Sequence, residues 1–174
     1  MTSPTARAEF MTLVEEHKKI LYKICNSYCR ERGAREDLAQ EIVLNLWQSF
    51  PRYDRQYRFS TWMYRIALNV AISYYRSEST RGRHIISDEG PLLEAADSAG
   101  SEPEEIQLLY RFIAGLDPLN KALILLYLDG NTYPEIASVL GISETNVATK
   151  INRVKNRMKR EVAGSVPAGP GSET

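Results

Sequence analysis

The sequence contains few of the residues from which disulfide-stabilised or metal-dependent proteins are built. Its 174 residues include only two cysteines, Cys25 and Cys29, and two histidines. Two thiols one helical turn apart cannot form a disulfide framework, and they are typical of a reducing compartment. The longest purely apolar run, residues 122–128, is far too short to span a membrane, and the polar N-terminus is not a secretory signal. We therefore expect a cytoplasmic protein without membrane insertion.

The sequence also lacks a net charge, because 22 basic residues balance 22 acidic ones. The charges are nevertheless segregated along the chain. Residues 52–76 contain five arginines and one acid, residues 145–160 contain six basic residues and no acid, and residues 78–105 between them contain eight acids. The neutral total is thus an average over two basic segments and an acidic connector, and it does not exclude a nucleic-acid partner.

Apolar residues recur with a helical period along most of the chain, and neither a strand pattern nor an internal repeat occurs. The pattern predicts helices over residues 8–32, 35–49 and 59–76, then over 105–115, 120–128, 132–140 and 143–162. Gly33 and Pro51 are expected to end the first two helices, and Ser60 to cap the third, with Phe59 before it. The predicted fold is all-α, with two small helical bundles joined by a flexible acidic linker. The expected domains are residues 1–77, a linker over 78–104, a second bundle over 105–162 and a disordered tail over 163–174.

The stretch FSTWMYRIALNVAISYYR, residues 59–76, predicts a helix with two unlike sides. Its apolar side consists of Trp62, Met63, Ile66, Val70 and Tyr74. The opposite side carries a stripe of Arg65, Asn69, Ile72 and Arg76, flanked by Tyr64 and Tyr75. Arginines, an amide and aromatic rings without any acid suit a nucleic-acid backbone and unstacked bases. A helix packed on both sides is the alternative that this stretch leaves open.

The segment TYPEIASVLGISETNVATKINRVKNRMKR, residues 132–160, has the pattern of a helix-turn-helix. Thr132 and Glu135 have the spacing of a capping box, Gly141 permits a sharp turn, and Ser143 is placed to cap the last helix. In that helix the predicted buried stripe is Val147, Ile151, Val154 and Met158. The opposite arc carries Asn146, Thr149, Lys150, Arg153, Asn156, Arg157 and Arg160. Short polar side chains followed by cations favour DNA binding over a merely solvated basic surface.

A third candidate surface lies on the helix that contains the sequence DLAQE. Asp37, Gln40, Glu41 and Leu44 fall on neighbouring positions of one side, with Trp47 about a turn further on. This pattern is that of an ordinary amphipathic helix, or of an acidic and amide patch that presents an aromatic anchor to a protein partner.

Taken together, DLAQEIVLNLWQSF, FSTWMYRIALNVAISYYR, the acidic connector and the helix-turn-helix resemble a bacterial RNA polymerase sigma factor of the extracytoplasmic-function (ECF) type. The resemblance covers residues 10–77 and 105–160. It implies a subunit, not an enzyme, that binds core RNA polymerase, directs it to specific promoters and promotes transcription initiation. It implies no cofactor and no metal, and it adds an anti-sigma factor to the expected partners.

The resemblance also implies roles for particular residues. Binding to the clamp helices of the largest polymerase subunit would fall to Asp37, Gln40, Glu41, Leu44 and Trp47, with the polymerase flap as a further contact. Binding to the minus-ten element would fall to Arg58, Phe59, Arg65, Asn69, Ile72 and Arg76, with Asn69 against a flipped base. Binding to the minus-thirty-five element would fall to Asn146, Thr149, Lys150, Asn152, Arg153, Arg157 and Arg160.

The chain departs from the family pattern at a few of these positions. Ala148 stands where many relatives have Arg or Lys, and Lys150 where Arg is frequent. Arg65 and Ile66 replace the two adjacent tryptophans that housekeeping sigma factors use in melting, which suits a protein that needs a stricter promoter.

Two other functions are consistent with parts of the sequence. One is a helix-turn-helix regulator that acts without polymerase and uses residues 1–77 for sensing or dimerisation. The other is a thiol or metal enzyme built on His17, Cys25 and Cys29, although a fourth ligand is missing from their vicinity.

Overall fold

The structure, a computed structural model, describes residues 3–81 and 103–165. Within these ranges every regular element is a helix, which confirms the all-α fold class. The N-terminal bundle consists of α1 (Pro4–Glu16), α2 (Lys18–Tyr28), α3 (Arg32–Ser49), a short 3-10 turn (Phe50–Arg52) and α4 (Phe59–Thr80). The C-terminal bundle consists of α5 (Glu104–Ala114), α6 (Pro118–Leu128), α7 (Tyr133–Leu140) and α8 (Glu144–Ser165). None of these helices is long and apolar enough to cross a membrane. Most of the predicted linker and tail, residues 82–102 and 166–174, lies outside the described residues.

The helix predicted over residues 8–32 is in fact two helices, α1 and α2, that meet at His17. His17 has φ −109° and ψ 13°, which interrupts the helix. Its Nδ1–H donates to the carbonyl of Leu13 at 2.8 Å, and its ring packs on Phe59 of α4 with centroids 5.1 Å apart. The break is therefore accompanied by a tertiary contact, which hydrophobic periodicity within the segment does not reveal.

The prediction that Gly33 ends a helix in the left-handed conformation is wrong. α2 ends at Tyr28, where Cys29 turns the chain into extended backbone with φ −128° and ψ 133°. Gly33 instead lies in the first turn of α3, which begins at Arg32, three residues before its predicted start. Positive φ angles among the described glycines occur at Gly130 and Gly141.

The predicted cap of α4 is also wrong. The helix begins at Phe59, and the residue before it, Arg58, has extended backbone and offers no side-chain cap. Ser60 is the second residue of the helix. The start of α4 is stabilised by the burial of Phe59, of which 6% is exposed.

The predicted turns of the C-terminal bundle are confirmed. Thr132 and Glu135 form a capping box, in which each side chain accepts a backbone N–H of the other. Gly141 has φ 68° and ψ 34°, the left-handed conformation that glycine adopts without steric cost. At the start of α6, a cap that the sequence analysis did not identify, the carboxylate of Asp117 accepts the N–H of Asn120.

The two bundles pack directly against each other, and α4 lies at the junction. α4 contacts α6 and α7, α2 contacts α5 and α6, and buried side chains of both bundles form one continuous cluster. Met63, on the predicted apolar side of α4, is buried, but so are Tyr64 and Leu68, with 2% and 1% of their surface exposed. Tyr64 was predicted to flank an exposed stripe, and this is wrong because its hydroxyl donates to Asp129, at the end of α6. Much of α4 is thus a helix packed on both sides.

Candidate nucleic-acid and protein interfaces

α8 buries a single apolar stripe against α6 and α7. Val147 and Ile151 are fully buried, Val154 is 6% exposed, and Met158 is half-buried against the core. The Oγ of Ser143 accepts the N–H of Asn146 at 3.1 Å, which confirms the predicted cap. Because one stripe fixes the helix, a broad arc of its surface remains available to solvent.

The arc of α8 carries all seven residues that the sequence assigns to the minus-thirty-five element. Six of them are exposed and Lys150 is half-buried: Asn146, Thr149, Lys150, Asn152, Arg153, Arg157 and Arg160. Thr149 Oγ1 donates to the carbonyl of Thr145 at 3.0 Å. The Nε of Arg157 lies 3.0 Å from Glu161, and its guanidinium lies 5.6 Å from the centroid of the Phe112 ring. Arg157 is therefore already engaged within its own bundle.

Two of these arginines also share a shallow depression on α8. Arg153 and Arg160 line it together with Asn156 and Lys159. Lys159 was not among the predicted binding residues, although it belongs to the same acid-free basic segment, residues 145–160. The depression concentrates three cations and an amide, a composition that suits phosphate and base edges.

The basic residues of segment 145–160 do not all lie on this arc, because Lys155 contacts Tyr127 of α6. Its Nζ donates to the hydroxyl of Tyr127 at 2.6 Å and lies 4.4 Å from the centroid of that ring. The hydrogen bond raises the pKa of Lys155 above its usual range. Lys155 therefore helps to hold α8 on the bundle.

The six predicted minus-ten residues differ in their accessibility. Four are exposed: Arg58, Arg65, Asn69 and Arg76. Ile72 is half-buried against the core. Phe59 is buried, with ring centroids 5.5 Å from Tyr53 and 5.3 Å from Trp62. In this conformation Phe59 supports the surface and does not itself face a base.

Arg65 makes a contact that its sequence position did not suggest. Its Nη2 donates to the carbonyl of Ser138 at 2.7 Å and to the hydroxyl of the same residue at 2.9 Å. Ser138 lies on α7, the first helix of the helix-turn-helix. One of the predicted DNA-binding arginines of the first bundle is thus held by the second bundle.

The loop before α4, residues 53–58, is held by hydrogen bonds within the loop and by an ion pair with α1. Tyr53 donates its hydroxyl to the carbonyl of Tyr57 at 2.7 Å, and Asp54 accepts the N–H of Gln56 at 2.9 Å. Arg55 forms a two-pronged ion pair with Glu9 of α1, with its Nη2 at 2.7 and 2.6 Å from the two carboxylate oxygens. Tyr57 is left with 68% of its surface exposed. Tyr57 was not named individually among the predicted minus-ten residues, although an aromatic ring in a basic loop is a surface on which an unpaired base can stack.

The residues predicted to bind polymerase lie beside an apolar groove between α1 and α3. Asp37, Gln40, Glu41 and Leu44 are exposed, and Trp47 is half-buried with its ring centroid 5.0 Å from that of Phe10. The groove is lined by Pro4, Arg7, Phe10, Met11, Ala39, Gln40, Val43, Leu44 and Trp47. The contribution of α1 was missed, and the exposed Met11 was the residue that could have indicated it. Two apolar side chains at the groove, Met11 and Leu44, are 57% and 53% exposed.

The thiols of Cys25 and Cys29, which were predicted as part of one alternative site, are buried and unreactive. Burial raises the pKa of Cys25 to about 12 and that of Cys29 to about 11, so both remain protonated at neutral pH. His17 directs its Nδ1 to a backbone carbonyl. In the part of the chain that the structure describes, no group of three His, Cys, Asp or Glu side chains is placed to hold a metal ion.

Two protein-family models match the chain. The model of Sigma-70 region 2 matches residues 13–81, and that of Sigma-70, region 4 matches residues 106–158. The chain is similar to the ECF RNA polymerase sigma factor SigW of Bacillus subtilis (strain 168), with 26% identity over 168 residues that cover 88% of each chain.

Two solved structures resemble its fold. One is CnrH in complex with the cytosolic domain of CnrY, with a TM-score of 0.66 and 22% identity over 92% of this chain and 91% of that one. The other is the sigma factor RpoE in complex with the anti-sigma factor NepR from Bartonella quintana, with a TM-score of 0.65 and 17% identity over 92% of this chain and 98% of that one.

Proposed function

We propose that the two bundles of this chain, which belongs to the ECF type of the sigma-70 family of RNA polymerase sigma factors, divide promoter recognition between them. The chain binds core RNA polymerase and directs it to promoters for transcription initiation. The sigma-70 family is not a family of catalytic enzymes, and we assign this chain no catalytic role. We place it in the cytoplasm, where polymerase and promoter DNA are found.

The C-terminal bundle reads the minus-thirty-five element with the exposed arc of α8. The observation that carries this assignment is the acid-free surface from Asn146 to Arg160 on a helix fixed by one buried stripe. Asn146 and Thr149 lie near the N-terminus of the helix, where side chains reach base edges in the major groove. Arg153 and Arg160 further along suit phosphates or a guanine edge.

The N-terminal bundle binds the minus-ten element with α4 and the loop before it. Asn69 is exposed and offers an amide to a base flipped out of the duplex, while Arg58 and Arg76 are exposed cations for the backbone. Tyr57 adds an exposed ring on which an unstacked base can lie. Arg65 joins this surface only after its hydrogen bonds to Ser138 are broken.

Polymerase docks on the groove between α1 and α3 and on the exposed acids beside it. A half-buried tryptophan, exposed Leu44 and Met11, and the carboxylates of Asp37 and Glu41 combine an apolar anchor with a charged rim. An apolar centre surrounded by a polar rim is typical of protein interfaces. The clamp helices of the largest polymerase subunit are the partner that we assign to it, and the flap is the partner of the C-terminal bundle.

A binding experiment with purified core polymerase and the full chain tests this assignment. Leu44→Asp is expected to weaken binding by about tenfold or more, because it places a charge in an apolar contact. Leu128→Asp is the matched control, since Leu128 is 51% exposed and lies on α6. Equal binding by the two variants would refute the groove as the polymerase contact. Absence of binding by the unaltered chain would instead favour the regulator that acts without polymerase.

We also propose that an anti-sigma factor binds this chain. CnrH and RpoE, whose folds it shares, occur in complexes with the cytosolic domain of CnrY and with the anti-sigma factor NepR. Exposed apolar side chains on several helices, among them Tyr22 and Tyr110, offer it contacts.

A further inference from the structure

The loop before α4 is exposed from residue 54 to residue 58, yet backbone hydrogen bonds hold it in a defined turn. Within the loop, the N–H of Tyr57 donates to the carbonyl of Asp54 at 3.1 Å. At its end, the carbonyl of Arg58 accepts the N–H of Trp62, in the first turn of α4, at 3.2 Å. Backbone groups that are bonded in this way restrict an exposed segment to few conformations.

The side chain of Tyr53 has a fixed ring and a hydroxyl that is bonded within the loop. Its ring stacks on Phe50 with centroids 6.1 Å apart, and it lies 4.9 Å from the ring of Trp62 and 5.5 Å from that of Phe59. The hydroxyl donates to the carbonyl of Tyr57 at 2.7 Å. Because the aromatic neighbours already hold the ring, the hydroxyl makes this bond with little further loss of side-chain freedom. Tyr53 therefore joins the core of the first bundle to the far part of the loop.

A second contact joins the loop to α1. The Nη2 of Arg55 lies 2.7 and 2.6 Å from the two carboxylate oxygens of Glu9. The two side chains are 71% and 38% exposed, so the pair contributes little energy and is sensitive to salt. Glu9 precedes Phe10, which lines the groove between α1 and α3. α1 thus contributes both to that groove and to the position of the loop.

These contacts fix the backbone of Tyr57 and leave its ring in solvent. Its carbonyl is bonded to Tyr53 and its N–H to Asp54, but 68% of the residue is exposed. A ring on a fixed backbone is a preformed surface on which an unpaired base can stack. Stacking on a ring that is already in place avoids the entropy cost of ordering the loop when the base binds.

We propose that Tyr53 is a positioning residue for promoter opening, because its hydroxyl holds the loop so that the ring of Tyr57 meets an unpaired base. Tyr53 acts through Tyr57 and does not itself touch DNA. The pair of Arg55 with Glu9 makes a smaller contribution of the same kind. This inference rests on the proposed function, since the position of Tyr57 matters only if the loop binds a melted minus-ten element.

Two measurements on the full chain test this role. Hydrogen exchange followed by mass spectrometry reports the order of the loop in the free protein. Permanganate reactivity of unpaired thymines reports opening, with core polymerase on a promoter that the unaltered chain selects from a random library. We expect Tyr53→Phe, which keeps the ring, to speed exchange in the loop and to reduce opening by about threefold, since one exposed hydrogen bond is lost. Binding to core polymerase and the urea midpoint of unfolding should not change.

Each variant has a matched control. Tyr74→Phe removes the hydroxyl of a half-buried tyrosine near the other end of α4 and should change neither measurement. Glu9→Gln should reduce opening by about twofold or less, because the ion pair is exposed. Glu15→Gln alters another exposed ion pair of α1, with Lys18, and should have no effect.

A double-variant cycle separates positioning from a merely structural role. Tyr57→Ala should itself reduce opening by about tenfold, because a stacking surface is lost. If Tyr53 acts through Tyr57, Tyr53→Phe has no further effect once Tyr57→Ala is present. Losses that multiply would overturn the proposal.

Three other results would also overturn it: unchanged exchange in Tyr53→Phe, unchanged opening in Tyr53→Phe, or an equal loss of opening in Tyr74→Phe. Failure of the unaltered chain to open any promoter with core polymerase would instead count against the proposed function. The exchange rates would then still show whether the hydroxyl of Tyr53 holds the loop.

Discussion

The two helices that the sequence assigns to DNA, α4 and α8, are both 22 residues long but are buried in different ways. α8 buries one stripe and leaves its recognition arc to solvent. α4 lies between α2 and α3 of its own bundle and α6 and α7 of the other, and it buries residues on more than one side. The proposed DNA-binding surface of α8 is therefore exposed while the two bundles are in contact, whereas that of α4 is partly covered by the other bundle.

The largest expected effect concerns the two-sided burial of α4. Tyr64→Ala removes a ring that is 2% exposed and should lower the free energy of unfolding by about 3–5 kcal/mol. Tyr57→Ala removes the same ring type at 68% exposure and should change it by less than about 0.5 kcal/mol. Urea denaturation followed by circular dichroism measures both. Similar values for the two variants would mean that Tyr64 faces solvent and that α4 resembles α8.

The next effect concerns the arc of α8. Arg153→Ala should weaken binding to minus-thirty-five DNA by about 1–3 kcal/mol if the guanidinium reads a guanine, and by less if it meets only phosphate. Lys155→Ala is a control of equal charge change, since Lys155 is bonded to Tyr127. Fluorescence anisotropy with labelled duplexes at two salt concentrations compares them. Equal losses of DNA affinity in the two variants would show that α8 contributes to binding only through its total charge.

A smaller effect is expected from Asn69 on α4. Asn69→Ala should leave core-polymerase binding unchanged but slow promoter opening by about tenfold, because a base-directed hydrogen bond of about 1–1.5 kcal/mol is lost. Permanganate reactivity of unpaired thymines measures opening, and co-purification measures binding. Unchanged opening would remove Asn69 from the flipped-base site.

The smallest effect concerns Lys121 of α6, a buried lysine that is only 3% exposed. Lys121→Met keeps the length of the side chain and removes its charge, so we expect a gain of about 1 kcal/mol in the free energy of unfolding at pH 7. The pKa of Lys121 is about 8 in the folded chain and 10.5 when unperturbed, so the unfolded chain binds more protons between these values. The wild type should therefore gain stability from this group as the pH rises through that window, and its deficit relative to Lys121→Met should shrink. A constant difference from pH 7 to pH 10 would contradict this.

Local chemistry was enough to predict the helix-turn-helix. The capping box of Thr132 and Glu135, the left-handed Gly141 and the cap at Ser143 each involve residues within a few positions of one another. The apolar stripe of α8 followed from a helical period with one buried side. Features of this kind depend only on residues that are close together in the sequence.

Contacts between distant segments determined what the sequence analysis missed. Tyr64 is buried where α4 packs on the other bundle, and Asp129, 65 residues away, accepts its hydroxyl. The break at His17 is accompanied by packing on Phe59, and the position of Arg65 by its bonds to Ser138. Glycine often follows the end of a helix, but Gly33 does not, because α2 had already ended at Tyr28. No periodicity within one segment contains this information. The boundaries of the predicted domains and the roles of individual site residues remain predictions.

The most direct test of the central claim is run-off transcription with core RNA polymerase, the full chain and a library of random promoters. We predict that the chain enriches transcripts from templates that share two conserved elements, and that Arg153→Ala and Asn69→Ala each reduce that enrichment. The same transcripts in the same amounts with and without the chain would contradict its assignment as a promoter-specificity subunit.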